Sequence, residues 1–371
     1  MAERTINGVE QIKKEEKSML TFKEKIYINP VPTKTHAYLV ADIGGTNANF
    51  GVFKNVRGAA RLLYSVHFKS QEITRFTDVM QQVLSHARDT YQLEIKVACI
   101  AAAGVIQKKR TYVKPTNLNL PIDTAEIVRE TTLDCGHLTN DFEVIGFGLR
   151  LISSDSLSKV NDGRPEQFAN KAVLGAGTGL GKCILVWHMG HDHYIPVASE
   201  GGHADFVAHN ELDLELIHFI QKKENFTCPV SWEQLLSGNG IQRMYAFFKS
   251  KNNAAKSHPQ LSSHGLAPDE IFNSRHMDEH SWRTFELYSQ IYARCAKNFA
   301  LDALALGGLY IAGGIASKNL PLFEREHFMR EFTSCGKMHH ILMQIPVYVI
   351  TDYNISLYGA AEYMRIQDLC E

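Results

Sequence analysis

Two glycine-rich turns in this sequence combine residue types that suit the binding of a phosphate anion. The first lies in Tyr38–Phe53, where a short apolar run stops at Gly44 and Gly45 and a second β-type run follows. Glycines at such a turn let backbone N–H groups approach an anion closely, because no Cβ stands in the way. Asp42 precedes the turn and could hold the water shell of a magnesium ion, and Thr46 adds a hydroxyl. An ordinary hairpin would explain this segment equally well, so the rest of the chain must decide.

The second turn lies in Ala172–Val186, which again predicts a strand, a glycine-rich turn and a strand. A Walker A loop is excluded, because Cys183 stands where that motif requires a hydroxyl. A dinucleotide-binding fold would need a helix after the turn, whereas Lys182–Trp187 predicts a strand. The Thr178 hydroxyl and the backbone amides would then face a phosphate. Two such hairpins suggest a duplicated fold that clamps one nucleotide between its halves.

A second group of polar residues suits a hydroxyl-rich substrate. Glu200 and His203 are separated by two glycines, which together disfavour a helix by about 2 kcal/mol and so predict a loop. A carboxylate and an imidazole in a loop can accept and donate hydrogen bonds to a polyol. Glu233, in a short predicted helix, is either a surface charge or a second carboxylate for the same polyol. Asn140 and Asp141 precede a predicted helix, where such a pair is commonly only a cap.

The elements that position these residues follow a repeating order. After the first hairpin come a third strand, a helix over Phe76–Tyr91, a buried strand over Ile95–Ala103 and a helix over Ile122–Glu130. The order β-β-β-α-β-α is the repeating half of one large ATPase architecture.

The C-terminal part supplies the second set of core elements. An aromatic stripe at helical spacing over Phe285–Phe299 predicts a long core helix. The strand over Gly307–Ile315 ends in Gly313 and Gly314, a place suited to the adenosine or α-phosphate of a nucleotide. A last core strand over Ile345–Ile350 and a closing helix over Ile355–Asp368, which we expect to return to the first domain, complete the pattern.

Composition excludes several classes of protein. The chain has 371 residues and a net charge of −1, long enough for two domains and not basic enough for a strongly cationic nucleic-acid surface. Its seven cysteines lack CxxC spacing, so we expect reduced thiols of an intracellular protein. Without an apolar run of membrane-spanning length or an apolar signal core, we expect a cytoplasmic protein with no membrane partner. His188–His193 predicts a solvated hairpin turn rather than a metal site.

Two polar segments stand outside the core pattern. Residues 1–37 form a lysine- and glutamate-rich prefix, for which we expect a loosely held arm with one short helix before an extended approach to the first strand. Ser250–Asp269 is rich in Ser, Asn, His and Pro and predicts a surface loop.

The motifs, taken together and in order, resemble the glucokinases of the bacterial and protist type, within the hexokinase–actin–chaperone ATPase superfamily. The resemblance runs from about Tyr38 to Tyr363. It is carried by ADIGGTNA at Ala41–Ala48, TNDF at Thr139–Phe142, GAGTGLG at Gly175–Gly181, EGGH at Glu200–His203, LSGNG after Glu233, and IAGGI at Ile311–Ile315.

This resemblance implies an α/β protein with a duplicated actin-like (ribonuclease H-like) ATPase fold, in which two α/β domains surround a cleft. The expected domains are residues 1–37 as an N-terminal extension, 38–150 plus 355–371 as a small domain, and 151–354 as a large domain. We also expect a homodimer and no nucleic-acid partner.

The implied activity is ATP-dependent phosphorylation of the 6-hydroxyl of glucose to glucose 6-phosphate, with Asp141 as the catalytic base. The residues expected to bind the sugar are Asn140, Asp141, Glu200, His203 and Glu233. Those expected to bind ATP with its Mg²⁺ are Asp42, Gly44, Gly45, Thr46, Asn47, Gly177, Thr178, Gly179, Gly313 and Gly314. No direct metal ligand of the chain is implied. Asn49 stands where bacterial enzymes of this type generally carry arginine, which leaves any contact by that side chain open.

Three alternatives remain at this stage. A kinase for another hexose or an amino-hexose would share every motif above. A sugar-independent actin-like ATPase would share the two hairpins but would have no need for Glu200, His203 and Glu233. A sugar-responsive repressor would need an N-terminal winged helix-turn-helix, for which residues 1–37 are too short.

Overall fold

The structure is a computed structural model that describes residues 19–33, 35–251 and 266–367. Its strands, in chain order, are β1 (Lys23–Ile26), β2 (Ala37–Ile43), β3 (Asn47–Val56), β4 (Ala59–Lys69), β5 (Ile95–Ala102), β6 (Tyr112–Val113), β7 (Ile122–Asp123), β8 (Cys135–Asn140), β9 (Leu157–Lys159), β10 (Lys171–Ala176), β11 (Leu180–His188), β12 (His193–Ser199), β13 (Leu309–Ala312) and β14 (Val347–Ile350).

The described residues also form α-helices, which connect the strands. They are α1 (Phe76–Tyr91), α2 (Thr124–Glu130), α3 (Asp141–Gly148), α4 (Glu211–Glu224), α5 (Trp232–Leu235), α6 (Gly238–Lys251), α7 (Pro268–Asn273), α8 (Glu279–Asp302), α9 (Gly314–Lys318), α10 (Arg325–Thr333), α11 (His339–Gln344) and α12 (Ile355–Ile366). None of the helices in the described ranges is both long and apolar enough to cross a bilayer.

The first sheet has the strand order β1-β4-β3-β2-β5-β8. β2 and β3 are antiparallel, with Ile43 opposite Ala48 across the turn, which confirms the hairpin predicted for Tyr38–Phe53. β5 runs parallel to β2, and β8 runs parallel to β5. The carboxyl ends of these three parallel strands therefore meet at one edge of the sheet, where ligands bind in open α/β sheets.

The second sheet repeats this arrangement, with the strand order β12-β11-β10-β13-β14-β9. β10 and β11 form the second predicted hairpin, in which Ala176 lies opposite Leu180. β13 runs parallel to β10, and β14 parallel to β13. Each sheet thus consists of a three-strand antiparallel meander followed by two parallel strands, plus one further edge strand. This repetition confirms the duplicated α/β fold.

Each sheet buries apolar side chains on both of its faces. One face of the first sheet packs Leu39 and Phe50 against α1, and the other packs Val40 against α12. In the second sheet, α8 covers one face with the predicted aromatic stripe, whose members Tyr288 and Tyr292 are fully buried. The stripe is therefore core packing, as predicted.

Helices α3 and α12 each pack against the sheet of the other half of the chain. α3 follows the first sheet, yet its Ile145 packs in one cluster with Val173 of the second sheet. α12 follows the second sheet, yet its Leu357 packs in one cluster with Val40 of the first. The two helices also touch, because a Cβ added at Gly359 would lie 1.7 Å from the Val144 carbonyl oxygen. The packing of these two helices holds the two halves together beside the cleft.

The N-terminal prefix differs from the expectation. Within its described residues no helix forms, and Lys23–Ile26 pairs with β4 as an edge strand, with Lys23 opposite His67. This part of the prefix is therefore held in the sheet rather than loosely attached. Ile122 and Asp123 also differ, since they form β7 and the helix begins only at Thr124. Most of the surface loop predicted over Ser250–Asp269 lies outside the described residues.

Candidate active site

The predicted site residues all line one cleft between the two sheets. It is formed where the carboxyl ends of the parallel strands of the two halves face each other. The residues from the first half that line it are Asp42, Gly44, Gly45, Thr46, Asn47, Asn140 and Asp141, and those from the second half are Gly177, Thr178, Gly179, Glu200, His203, Glu233, Gly313 and Gly314. Residues far apart in the sequence are thus brought together in one cleft.

Asn140 is the N-cap of α3, so the cap interpretation is correct. Its Oδ1 accepts hydrogen bonds from the backbone N–H groups of Phe142 (2.9 Å) and Glu143 (3.2 Å), and Glu143 completes a capping box. The cap occupies the amide oxygen, whereas Nδ2 has only a long contact, 3.5 Å, to the Gly104 carbonyl. Capping therefore leaves the amide N–H groups of Asn140 available to an oxygen-bearing ligand.

Asp141 opens the first turn of α3, and its carboxyl group has a strongly perturbed pKa. Burial is the largest cause, and together with the negative charges of Asp42 and Glu200 it raises this pKa to about 7. A hydrogen bond from the Phe142 N–H lowers the pKa and opposes part of this shift. Burial and like charges both disfavour an ionised carboxylate. The carboxyl group can therefore take up or release a proton near neutral pH, as a general base requires.

Asp42 lies near the end of β2 and lines the same cleft as Asp141. Its Oδ2 accepts a hydrogen bond from the Ser356 hydroxyl at the start of α12, at 2.6 Å. Burial raises the pKa of this carboxyl group, and hydrogen bonds from Ser356 and Asn49 oppose the shift. Asn49, whose contacts the sequence left open, is thus a direct partner of Asp42.

Glu200, His203 and Glu233 form a second polar group on the other wall. The His203 ring stands between the two carboxylates, with Nε2 3.7 Å from Glu200 and Nδ1 3.8 Å from Glu233. These distances exceed direct hydrogen bonds, so both carboxylates retain free acceptor capacity. Glu233 also accepts the Leu180 N–H at 2.9 Å, which fixes it to the second glycine-rich turn. Gly201–His203 forms a short 3-10 turn, close to the predicted loop.

The two glycine-rich turns meet at the cleft. The Thr46 and Thr178 hydroxyl oxygens are 3.0 Å apart, although they belong to different sheets. A Cβ added at Gly45 would come within 2.9 Å of both Thr178 and Asn117. At Gly177 and Gly314 an added Cβ would meet nothing within 4 Å. Glycine is therefore needed where the turns touch, and open space adjoins the backbone elsewhere in the cleft.

Gly313 has a backbone conformation that favours glycine. Its φ is +94°, and an added Cβ would lie 2.5 Å from the Ala176 carbonyl oxygen. It follows the last residue of β13 and is the N-cap of the five-residue helix α9. The double glycine predicted at the end of this strand thus lets the chain pass close to the second hairpin.

Several residues that line the cleft belong to none of the sequence motifs. Asn117 reaches both turns, since its side chain would contact a Cβ placed at Gly45 or at Gly179. Ser356 binds Asp42 from a position 314 residues away in the chain. The Thr116–Asn117 turn was visible in the sequence, but nothing in its pattern connects it to the glycine motifs. Ser356 gave no sequence signal at all.

His188–His193 forms the connection between β11 and β12, as predicted. The His188 and His191 rings lie 4.4 Å apart on this turn. Within the described residues, no group of three or more His, Cys, Asp or Glu side chains is arranged to hold a metal ion.

Comparison with known proteins connects this site to a family. The family model described as Glucokinase matches residues 39–367. A glucokinase of Trichormus variabilis is 33% identical over 341 residues, covering 87% of this chain and 97% of the relative. The crystal structure of a glucokinase from an Antarctic psychrotroph aligns with a TM-score of 0.70 and 28% identity, covering 89% of this chain and 99% of that one.

A more distant structure gives the fold. It is a ROK family glucokinase from Streptomyces griseus in complex with glucose and AMPPNP, with a TM-score of 0.60 and 18% identity, and the alignment covers 88% of this chain and 98% of that one. Its likeness supports the actin-like ATPase fold, in agreement with the duplicated sheets. Because the family model spans most of the chain and a relative of more than 30% identity is covered almost completely, the chain belongs to the glucokinase family, the enzymes that phosphorylate glucose with ATP.

Proposed function

We propose that this cleft transfers the terminal phosphoryl group of Mg-ATP to the 6-hydroxyl of glucose, with Asp141 as the general base. The observation that carries the proposal is the position of the Asp141 carboxyl group. It lies at the start of α3 and lines the same cleft as Glu200, His203, Glu233 and the two glycine-rich turns, and the nearby charges of Asp42 and Glu200 help raise its pKa to about 7.

Asp141 would accept the proton of the sugar hydroxyl as the new phosphorus–oxygen bond forms. A hydroxyl group has a pKa far above 7, so a free alcohol is a poor nucleophile until a base receives its proton. A positioned base of this kind typically contributes about 10²- to 10⁴-fold in rate. The raised pKa of Asp141 suits the task, because a base with a pKa near the working pH combines a sufficient ionised fraction with proton affinity.

The sugar hydroxyls would be held from both halves of the protein. Asn140 offers its amide N–H groups, since its oxygen is occupied by the helix cap. Glu200 and Glu233 offer free carboxylate oxygens, and the His203 ring between them can accept or donate. Such groups fix a polyol in one orientation, and positioning is itself a large part of the catalytic effect.

ATP with its Mg²⁺ would lie along the two glycine-rich turns. The residues present fit this group: the backbone at Gly177 and Gly314 adjoins open space, and the Asp42 carboxylate faces the same cleft. The magnesium ion would supply charge neutralisation for the transferred phosphoryl group. Asp42 would hold and orient water of its coordination sphere, and the Thr46 and Thr178 hydroxyls, Gly44, Gly45, Asn47, Gly179 and Gly313 would complete the surroundings of the phosphates.

We further propose that residues 38–150 plus 355–371 and residues 151–354 act as two domains that close over the sugar. The support is the separate core of each sheet and the contact of the two turns across the cleft. Closure would exclude water, which would otherwise accept the phosphoryl group. A homodimer and a role in glycolysis are predictions from the family resemblance, and a cytoplasmic location is a prediction from the composition of the chain.

The deciding experiment is a coupled assay of ADP release with Mg-ATP. It is run without sugar and with glucose, mannose, fructose, glucosamine and N-acetylglucosamine. We expect strong turnover with glucose and little without sugar. A preference for another hexose would correct the substrate, whereas ADP release that is indifferent to every sugar would reject the kinase proposal for this cleft.

A further inference from the structure

A row of polar side chains crosses the first sheet and ends at Asp42. Asp42 lies directly opposite Asn49 on the neighbouring strand, and Asn49 lies directly opposite His67 on the next. Residues directly opposite each other point to the same face of the sheet. Three polar side chains thus stand side by side across β2, β3 and β4, on a face that is otherwise packed with apolar residues under α12.

Hydrogen bonds connect the members of this row. His67 Nδ1 is 2.7 Å from Asn49 Oδ1, and His67 Nε2 is 2.8 Å from the Ser65 hydroxyl. Asn49 in turn hydrogen-bonds Asp42, whose other contact is the Ser356 hydroxyl at 2.6 Å. Asn49 is 8% exposed and Ser65 is fully buried, so water does not readily replace these partners.

The chemistry of these side chains determines which of them donates and which accepts each hydrogen bond in the row. A carboxylate can only accept, so Asn49 must turn its amide N–H group towards Asp42 and its oxygen towards His67. That oxygen needs a donor, which assigns the proton of neutral His67 to Nδ1 and leaves Nε2 to accept from Ser65. Removal of the His67 N–H would leave the Asn49 oxygen without its donor and free the amide to rotate.

Only one end of the row reaches the cleft. Asp42, Asn49 and Ser356 line it, whereas His67 and Ser65 lie behind them in the sheet. Asp42 is therefore held from two sides, by Asn49 from β3 and by Ser356 from α12. A carboxylate restrained in this way presents its oxygens in a fixed direction, and such support behind a charged group improves the precision of a metal–nucleotide site.

We propose that Asn49 and His67 are positioning residues of the phosphoryl-transfer site, which together with Ser356 fix the Asp42 carboxylate for binding of the metal–nucleotide complex. The inference rests on the role proposed above for Asp42. It assigns a function to a histidine that no motif identified and that touches no substrate.

The test is the affinity of each variant for Mg²⁺ with AMPPNP, measured by calorimetry, beside the affinity for glucose measured by intrinsic fluorescence. His67→Asn keeps an N–H group at the place of Nδ1, whereas His67→Gln places its amide at the place of Nε2. We expect His67→Gln and Asn49→Ala to weaken Mg-AMPPNP binding by about 3- to 10-fold, the equivalent of one hydrogen bond. We expect His67→Asn to restore most of the affinity, and glucose affinity to stay within about twofold in all three.

Two controls separate positioning from general damage. His86→Gln changes a histidine that packs near the same sheet and binds Glu24 at 2.8 Å outside the cleft, so it should leave both affinities unchanged. Asp42→Asn tests the role of Asp42 on which the inference rests. If this variant binds Mg-AMPPNP normally, the proposed role of Asp42 is wrong and the inference fails with it. If Asp42→Asn is impaired but His67→Gln is normal, or if His67→Gln loses glucose and nucleotide affinity equally, the positioning role alone is rejected.

Discussion

At the scale of single residues, the cleft contains two half-buried aspartates whose surroundings differ. Burial raises the pKa of the Asp42 carboxyl group, and hydrogen bonds from Ser356 and Asn49 oppose that shift. Asp141 receives the Phe142 N–H but faces Asp42 and Glu200, and its pKa reaches about 7. Pairs of carboxyl groups with different surroundings commonly divide the work of a site. Here the pKa of about 7 favours Asp141 as the proton acceptor, and the hydrogen bond from Ser356 favours Asp42 as a carboxyl group held in place for the metal–nucleotide complex.

Replacement of Asp141 by asparagine tests the first of these roles. Asp141→Asn removes the proton acceptor and keeps the shape of the side chain. We expect turnover to fall by at least about 100-fold, because a general base contributes that much or more. Glucose binding, followed by fluorescence, should persist. Turnover close to that of the wild type would exclude Asp141 as the base.

The same substitution should reveal the pKa of Asp141 in the stability of the ligand-free protein. The folded-state pKa is raised from 3.8 to about 7, so between these values the folded protein holds a proton that the unfolded chain has released. Stability from this group is present at low pH and is lost as the pH rises through the window. Asparagine does not ionise, so Asp141→Asn should gain stability relative to the wild type between pH 5 and pH 8.

Urea unfolding at pH 5 and at pH 8 measures this gain. The control is Asp155→Asn, which changes an exposed aspartate that does not line the cleft and should shift stability equally at both pH values. A difference between Asp141→Asn and the wild type that does not grow with pH would show that the carboxyl group is not destabilised by its surroundings.

Sequence motifs predicted the cleft residues that lie within short, self-contained segments. Gly44, Thr178 and Glu200 could be found because the turn chemistry around each is written in adjacent residues. Ser356 could not, since its hydroxyl matters only through a contact with Asp42 that the fold creates. The His67–Asn49 contact was hidden for the same reason, because it depends on the register of two paired strands.

At the scale of elements, the periodicity of apolar residues predicted most helices and strands. The elements that it did not predict form because of contacts with other parts of the fold. The aromatic stripe of α8 and the apolar run of β5 are strong signals because a core requires them. β1, with the polar sequence KEKI and four exposed residues, carries no apolar alternation that would identify it. It forms because the edge of the first sheet offers backbone partners on β4.

The close contact between α3 and α12 predicts that one methyl group added at Gly359 will destabilise the protein. A Cβ at position 359 would lie 1.7 Å from the Val144 carbonyl oxygen, a backbone atom that cannot move without shifting α3. We expect Gly359→Ala to destabilise the protein by about 1–3 kcal/mol or more, the usual cost of overpacking. Because Asp141 begins α3 and Ser356 lies in α12, turnover should also fall.

Chemical denaturation of Gly359→Ala, with Gly336→Ala as the matched control, tests this prediction. An added Cβ at Gly336 meets nothing within 4 Å, so that substitution should change stability by less than about 0.5 kcal/mol. Equal stability of the two variants would mean that the helices separate easily and that their contact does not hold the halves together.

At the scale of the whole molecule, the site is divided between two halves that are each incomplete. Asn140 and Asp141 come from the first sheet's last strand and the helix after it, whereas Glu200, His203 and Glu233 come from the second half. A sugar bound by both groups would connect the halves directly. Duplication gives the two glycine-rich turns, but the residues proposed to bind the sugar do not repeat, since the first half has no counterpart of the Glu200–His203 motif in its sequence.

Glucose should therefore stabilise both halves of the molecule and not only the one that carries most of its contacts. At a concentration 100 times its dissociation constant, a ligand that binds only the folded protein stabilises it by about 2.7 kcal/mol. We expect hydrogen exchange in the presence of glucose to slow at α3 and at the Gly44–Thr46 turn as well as around Glu200. Asn140 also caps α3, so Asn140→Ala is compared with and without glucose: the slowing caused by glucose should persist around Glu200 and be lost at α3. Protection confined to the second half of the wild type would show that Asn140 and Asp141 do not contact the sugar, and would remove the basis for Asp141 as its base.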